Sequence, residues 1–162
     1  MEPLGREFFR QDTVKVAKAL IGKLLEVDRI RMRIVETEAY KDDQASHART
    51  YTERSRLMFE TYGHIYVYLV YGMYHCLNIT TDEGPGAVLI RALDGEGCDG
   101  PGKLCRKLDI TLKDNGQPLG RRFRILDDGQ EPEIGTSERI GIRKDTHLRW
   151  RFYSKERQHP HR

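Results

Sequence analysis

The sequence predicts a single α+β domain built on a mostly antiparallel sheet, and three observations predict it. The chain has 162 residues, the size of one ordinary domain, so residues 1–162 are read as one unit. Its apolar residues are only 38% of the chain, yet they are gathered into runs at Ile65–Leu69, Cys76–Ile79 and Ala87–Leu93 that can supply a buried sheet. Two of the strongest strand patterns are joined by little more than Tyr71-Gly72, which calls for a hairpin or a sharp bend.

The elements follow in order. Asp12 or Thr13 caps a helix to about Leu20, because Val14, Val16, Ala17, Leu20 and Ile21 keep helical spacing and Gly22 closes it. Lys23–Val27 and Arg31–Ala39 read as strands. In the second, period 2 places Glu36, Glu38 and Tyr40 on one face and Val35, Thr37 and Ala39 on the other. Lys41–Thr50 is polar and reads as a loop with a helical turn, and Ser55–Phe59 as a short helix ended by Gly63. Ile65–Val70 and Met73–Thr80 are rich in Tyr, Val and Ile and read as strands. Gly84-Pro85-Gly86 is a turn and Ala87–Leu93 another strand. Gly100-Pro101-Gly102 opens a helix from about Lys103 to Leu108. Asp114–Leu119 and Asp127–Gly135 are loop-like, Arg139–Ile142 and Arg149–Tyr153 are short strands, and the last residues fray.

Composition narrows the function. The net charge of +3 is small, but residues 121–162 carry 11 Lys and Arg against 7 Asp and Glu. A basic C-terminal quarter fits contact with phosphates, as it also fits an ordinary solvated surface. Three cysteines without paired C-x-x-C spacing argue against a disulfide framework and against zinc. Neither a signal peptide nor a membrane span is expected, since Met1–Arg10 lacks an apolar stretch and no run reaches about 20 apolar residues. The expected protein is soluble and intracellular.

Glu38, near the end of an apolar strand, suits a general base held rigidly and partly dry; Glu36 shares its face and is an open rival. Tyr40, Tyr62, Tyr66, Tyr68, Tyr71 and Tyr74 crowd into one stretch of chain. They fit base stacking or an aromatic sheet face, and each buried hydroxyl needs a partner. Asn78, inside an apolar run, is either a structural hydrogen-bonder or a reader of a ligand edge. Arg91 ends the Val88-Leu89-Ile90 run. His47, His64 and His75 have no metal-ligand spacing, so no metal site is expected. Gly100-Pro101-Gly102-Lys103 can present a helix start to a phosphate but is not a P-loop.

Taken together, several stretches resemble the alkyladenine DNA glycosylase family, the methylpurine type of 3-methyladenine glycosylases. They are Leu4–Phe9, Arg33-Ile34-Val35-Glu36-Thr37-Glu38-Ala39-Tyr40, His47, the run from Tyr66 to Ile79, Ala87–Leu93, Gly100–Ile110, Arg139–Ile142 and Arg151-Phe152-Tyr153. The resemblance covers nearly the whole chain, and the ETEAY and YVYxxYGMYxCxN segments in this order are highly specific. It implies a mixed fold around an antiparallel sheet with a protruding β-hairpin. It also implies roles: Glu38 as general base, Arg91 beside it, Tyr40 on one face of an extruded base with His47 and Tyr68 on the other, Asn78 on the pocket floor, and Tyr71 wedged into the duplex. Compared with the family, the segments Val27–Arg33 and Ile110–Arg139 are short, which implies trimmed surface loops.

The implied activity is that of a monofunctional glycosylase of base excision repair. It would flip alkylated or deaminated purines (3-methyladenine, hypoxanthine, ethenoadenine) from double-stranded DNA and hydrolyse the N-glycosidic bond, leaving an abasic site. No lysine in the matched site segments offers a Schiff base, so lyase activity is not expected. No cofactor is implied, and a monomer is expected, cytoplasmic or nucleoid-bound in a prokaryote and nuclear in a eukaryote. The contrasting reading is a non-catalytic single-stranded nucleic-acid binder that uses the tyrosines as a stacking platform.

Overall fold

Asp12 caps the first helix by accepting the backbone N–H of Lys15, and α1 then runs over Thr13–Leu20. Its buried residues Val16, Ala17 and Leu20 lie on one side, as the spacing predicts. In the computed structural model, residues 1–156 are described except 44, 47, 49, 83 and 84, together with the backbone alone of Asp82. Among them the strands are β1 (Glu2–Pro3), β2 (Leu24–Val27), β3 (Ile30–Tyr40), β4 (Ile65–Val70), β5 (Tyr74–Asp82), β6 (Pro85–Leu93), β7 (Phe123–Asp127), β8 (Ile134–Ser137) and β9 (Arg151–Ser154). The described residues also form two more short helices, α2 (Arg56–Glu60) and α3 (Pro101–Lys107), with 3-10 turns at Arg6–Phe9 and Leu112–Asp114 among them.

All described strand pairs are antiparallel, in the order β1-β7-β2-β3-β6-β5-β4, with β9 pairing both β3 and β8. The α+β expectation therefore holds. α1 lies on β3, where the Thr37 hydroxyl donates to the Ala17 carbonyl at 2.7 Å. Phe9, Leu20, Ile34, Ile65, Leu77, Ile79, Ile90, Leu104 and Phe123 form the core beneath these elements.

Three expectations are corrected. Pro85 and Gly86 open β6 instead of forming a turn, pairing with Asp82 and Thr81. Gly86 is needed there because a Cβ would run into the Thr13 hydroxyl of α1 and that of Thr81. Residues 139–142 form no strand; the pairing with β9 is made by Ile134–Ser137, which begins inside the expected loop Asp127–Gly135. Conversely, β7 is not among the expected strands, although Phe123 and Ile125 are buried on either side of Arg124. Residues 115–118 are a loop, as expected, and that loop covers the free edge of β4: Asn115 accepts the Val67 N–H, Gly116 donates to the Ile65 carbonyl and Gln117 accepts the Ile65 N–H.

The hairpin between β4 and β5 turns at Tyr71-Gly72. Both have positive φ (54° and 65°), and Met73 N–H donates to the Val70 carbonyl, as in a type I′ turn. Tyr71 is 88% exposed, so the tip protrudes and its ring covers no core. Met73, expected in the strand, belongs to this turn.

The C-terminal quarter is less of a charged surface than its composition suggests. Arg139 and Arg151 are buried, and Arg122 and Arg124 pair with Asp114 and Glu26. Arg151 Nη2 stands 3.0 Å from the fully buried Glu36 Oε2. Arg151→Ala removes the cation paired with that buried carboxylate and is expected to cost about 3–5 kcal/mol in urea unfolding. Arg149→Ala, at an exposed side chain bonded to Thr136, is expected to cost no more than about 1 kcal/mol.

Candidate active site

β3 carries the site, and its ladder with β6 is irregular where the site begins. Pairing shifts between Ile34, Glu36 and Thr37, so that Ala92 faces Glu36 and Ile90 faces Thr37 while Arg91 faces neither. Irregularities of this kind re-aim a side chain, here the Arg91 guanidinium. Arg91 Nη1 reaches Glu38 Oε1 at 3.5 Å.

Glu38 is wholly buried. The Tyr40 phenol donates to its Oε1 at 2.8 Å and the Ile140 backbone N–H to its Oε2 at 2.7 Å. A buried carboxylate is tolerated only when donors replace its water, and here three groups from β3, β6 and the 139–142 segment do so. All three line one cleft of about 380 Å³, with Tyr68, Tyr71, Tyr74, Leu89 and Gly102 also on its walls. The carboxylate therefore sits directly behind the cleft wall. Glu36 does not: neither it nor Arg151 is among the residues lining this cleft. Strand alternation left the two glutamates as rivals on one face, the family resemblance favoured Glu38, and the structure gives the two different partners.

A smaller cavity of about 170 Å³ adjoins the first through the shared residues Tyr40, Tyr68 and Val70, and adds Ala45, Met58, Tyr66 and Asn78. Asn78 Nδ2 donates to the strand carbonyls of Tyr66 and Cys76, which fixes its amide, and its side chain also hydrogen-bonds the Tyr68 phenol. Five of the seven expected residues, Glu38, Arg91, Tyr40, Tyr68 and Asn78, thus come together. Tyr71 stands at the rim of the larger cleft, and His47 lies outside the described residues.

Sequence reasoning missed the residues that hold the tyrosines. The Arg139 guanidinium lies 4.7 Å from the Tyr40 ring centre and 5.1 Å from that of Trp150. It donates to the Ala39 carbonyl and to Asp43 Oδ2 at 2.8 Å, while Asp43 accepts the backbone N–H groups of Lys41 and Ala45. The turn after β3 and the angle of Tyr40 are thereby fixed together. Arg54 lies 5.3 Å from the Tyr68 ring centre and donates to the Leu69 carbonyl. The available signal was a lone arginine beside Ile140 and Ile142, which suits a buried charge with a partner better than a strand.

The sequence pattern of the methylpurine-DNA glycosylase family matches residues 7–97 and 94–158. The chain belongs to this family. It is similar to a putative 3-methyladenine DNA glycosylase of Sodalis glossinidius, 47% identical over 163 residues, covering 93% of this chain and 96% of that protein. It is also similar to proteins of the same description from Wolbachia pipientis (44% identical; 93% and 89% covered) and Clostridium novyi (39%; 96% of each). The Clostridium alignment spans 194 positions against 162 residues here, so that relative carries insertions this methylpurine-DNA glycosylase family member lacks. Among the described residues no helix is long and apolar enough to cross a membrane, and no three His, Cys, Asp or Glu side chains gather as a metal site requires.

Burial, with the Glu38 charge second for Tyr40, pushes the phenols of Tyr40 and Tyr68 well above the ordinary value of 10.0, and burial takes Tyr66 to about 12. These folded phenols keep protons that the unfolded chain releases near pH 10, so their contribution to stability is complete below pH 10 and is lost as the pH rises beyond it. Urea unfolding between pH 10 and 11 is expected to lose stability. Tyr40→Phe is expected to flatten that slope by at most one proton, about 1.4 kcal/mol per pH unit.

Proposed function

We propose that this chain is a monofunctional DNA glycosylase that extrudes a damaged purine from duplex DNA and hydrolyses its N-glycosidic bond. The observation that carries the reading is the buried Glu38 carboxylate behind a tyrosine-lined cleft, with Tyr40, Arg91 and Ile140 both binding it and forming the wall. Membership of the methylpurine-DNA glycosylase family and the 3-methyladenine descriptions of its relatives support the same reading.

In the proposed reaction the duplex first loses a stacked base, at a cost of a few kcal/mol. Tyr71, held out at the hairpin tip, fills the gap. The extruded purine enters between Tyr40 and Tyr68, with Asn78 at the closed end. A positively charged alkylated purine gains from the electron-rich ring faces, and a neutral deaminated one depends on fit. As the bond to the base lengthens, the sugar becomes oxocarbenium-like. Glu38 then accepts the proton of a water lying at the Arg91–Ile140 wall and offsets the developing positive charge, while Arg91 orients the carboxylate. The leaving base carries away the bonding electron pair and the water oxygen ends on the sugar carbon. No lysine is among the described residues lining either cavity, which supports hydrolysis without a Schiff base and strand cleavage.

Single-turnover release of 3-methyladenine, hypoxanthine or ethenoadenine from defined duplexes, scored as alkali-labile abasic sites, tests the reading. Glu38→Gln is expected to bind lesion duplex normally and lose about 10²–10⁴-fold in rate. Near-normal release by Glu38→Gln rules out the assignment. Tyr71→Ala is expected to weaken lesion-duplex binding by about 1–3 kcal/mol while leaving the unfolding midpoint almost unchanged. A strongly lowered midpoint would instead make Tyr71 a packing residue.

A further inference from the structure

At the opposite end of β3 from Tyr40, the β2–β3 hairpin and the residues leading into β7 enclose a further concave surface. Its lining is Glu26, Asp28, Arg29, Arg31, Gly120 and Arg121, with Arg122 and Arg124 completing it. Five arginines against two carboxylates leave these residues with a net charge of +3. Glu38 lies eight residues along β3 from Ile30, so at about 3.3 Å per residue the concavity is roughly 26 Å from the catalytic carboxylate.

The arginines are arranged, not scattered. Glu26 Oε1 accepts Arg124 Nε at 2.7 Å and Glu26 Oε2 accepts Arg31 Nε at 2.8 Å, so one buried carboxylate holds two guanidiniums side by side. Arg122 is fixed by Asp114 and by the carbonyls of Leu108 and Asp109. Arg29 and Arg121 are exposed and have no hydrogen-bond or ion-pair partner among the described residues. Hydrogen bonds from Arg124 and Arg31 hold the Glu26 carboxyl down to about 2, so the clamp stays charged at any working pH. Planar forked donors on a concave surface suit the oxygens of a phosphate group better than any other common ligand.

We propose that this concavity is a phosphate-binding site, remote from the cleft in front of Glu38, in which Arg29 and Arg121 close on an oxyanion seated over the guanidiniums held by Glu26. The phosphate can belong to a nucleic-acid backbone or to a free polyphosphate compound, and the chemistry of recognition is the same. The site does not rest on Glu38 being the general base, so either inference can fail alone.

The double variant R29A/R121A removes the two unpartnered cations. The control R10A/K155A removes two cations already paired with Glu7 and Glu133. Calorimetric titration with inorganic tripolyphosphate reads the site directly, and the salt dependence of binding to an undamaged 20-bp duplex reads the backbone. Tripolyphosphate is expected to bind the parent and the control, and to bind R29A/R121A at least 10-fold more weakly. If a DNA backbone is the source, the slope of log affinity against log salt falls by about 2 in R29A/R121A alone. If a free phosphate compound is the source, tripolyphosphate binding weakens and the slope stays. Tripolyphosphate affinity and duplex slope that both match the control overturn the proposal. Base release from a lesion duplex, measured in the same variant, keeps this result separate from the glycosylase reading.

Discussion

The structure depends on burying three carboxylates from one short stretch of chain. Glu36, Glu38 and Asp43 are each less than a tenth exposed. An ionised carboxylate without donors would cost several kcal/mol at such a place. Each is met by an arginine from a distant part of the sequence: Glu36 by Arg151, Glu38 by Arg91 and Asp43 by Arg139. These pairs tie β3 to β6, to β9 and to the segment after β8. Much of the C-terminal path exists to deliver those cations.

That requirement explains why the cleft is rigid where chemistry is proposed and exposed where duplex is proposed to enter. Arg139 fixes Tyr40 from behind while Tyr40 donates to Glu38, so one network sets both a stacking ring and the carboxylate. The hairpin tip belongs to no such network. Tyr71 and Gly72 sit in a turn with left-handed backbone, and the exposed side chains of Tyr71 and Met73 are free of core packing. A wedge needs a stiff support and a free end, and the β4–β5 hairpin supplies both.

Much of this was legible in the sequence. The strands from Ile65 to Leu93 and the helix after Asp12 follow from apolar periodicity, and the ETEAY stretch put Glu38 and Tyr40 on one strand, where the structure has them. What periodicity could not carry was long-range pairing. Residues 134–137 have no strand-like run and pair only because β9 offers an edge beside β3. Arg139 and Arg151 count as surface charge in any composition, yet they are interior because their acidic partners lie roughly a hundred residues earlier. The choice between Glu36 and Glu38 was equally invisible to alternation, which puts both on one face and says nothing of what each one meets there.

The central proposal is a division of labour in which Glu36 with Arg151 holds the strand and Glu38, not Glu36, serves the reaction. Replacing the first pair together, as E36M/R151M, tests it most directly, since apolar substitution of a buried ion pair is often neutral or stabilising. Single-turnover base release from a 3-methyladenine duplex is the measurement, taken on protein shown to be folded by its unfolding transition. The account predicts a folded variant that releases the base within about tenfold of the parent rate, roughly the effect of a 1.4 kcal/mol change in the barrier. A folded E36M/R151M protein whose release falls a hundredfold or more would contradict it and return Glu36 to the reaction.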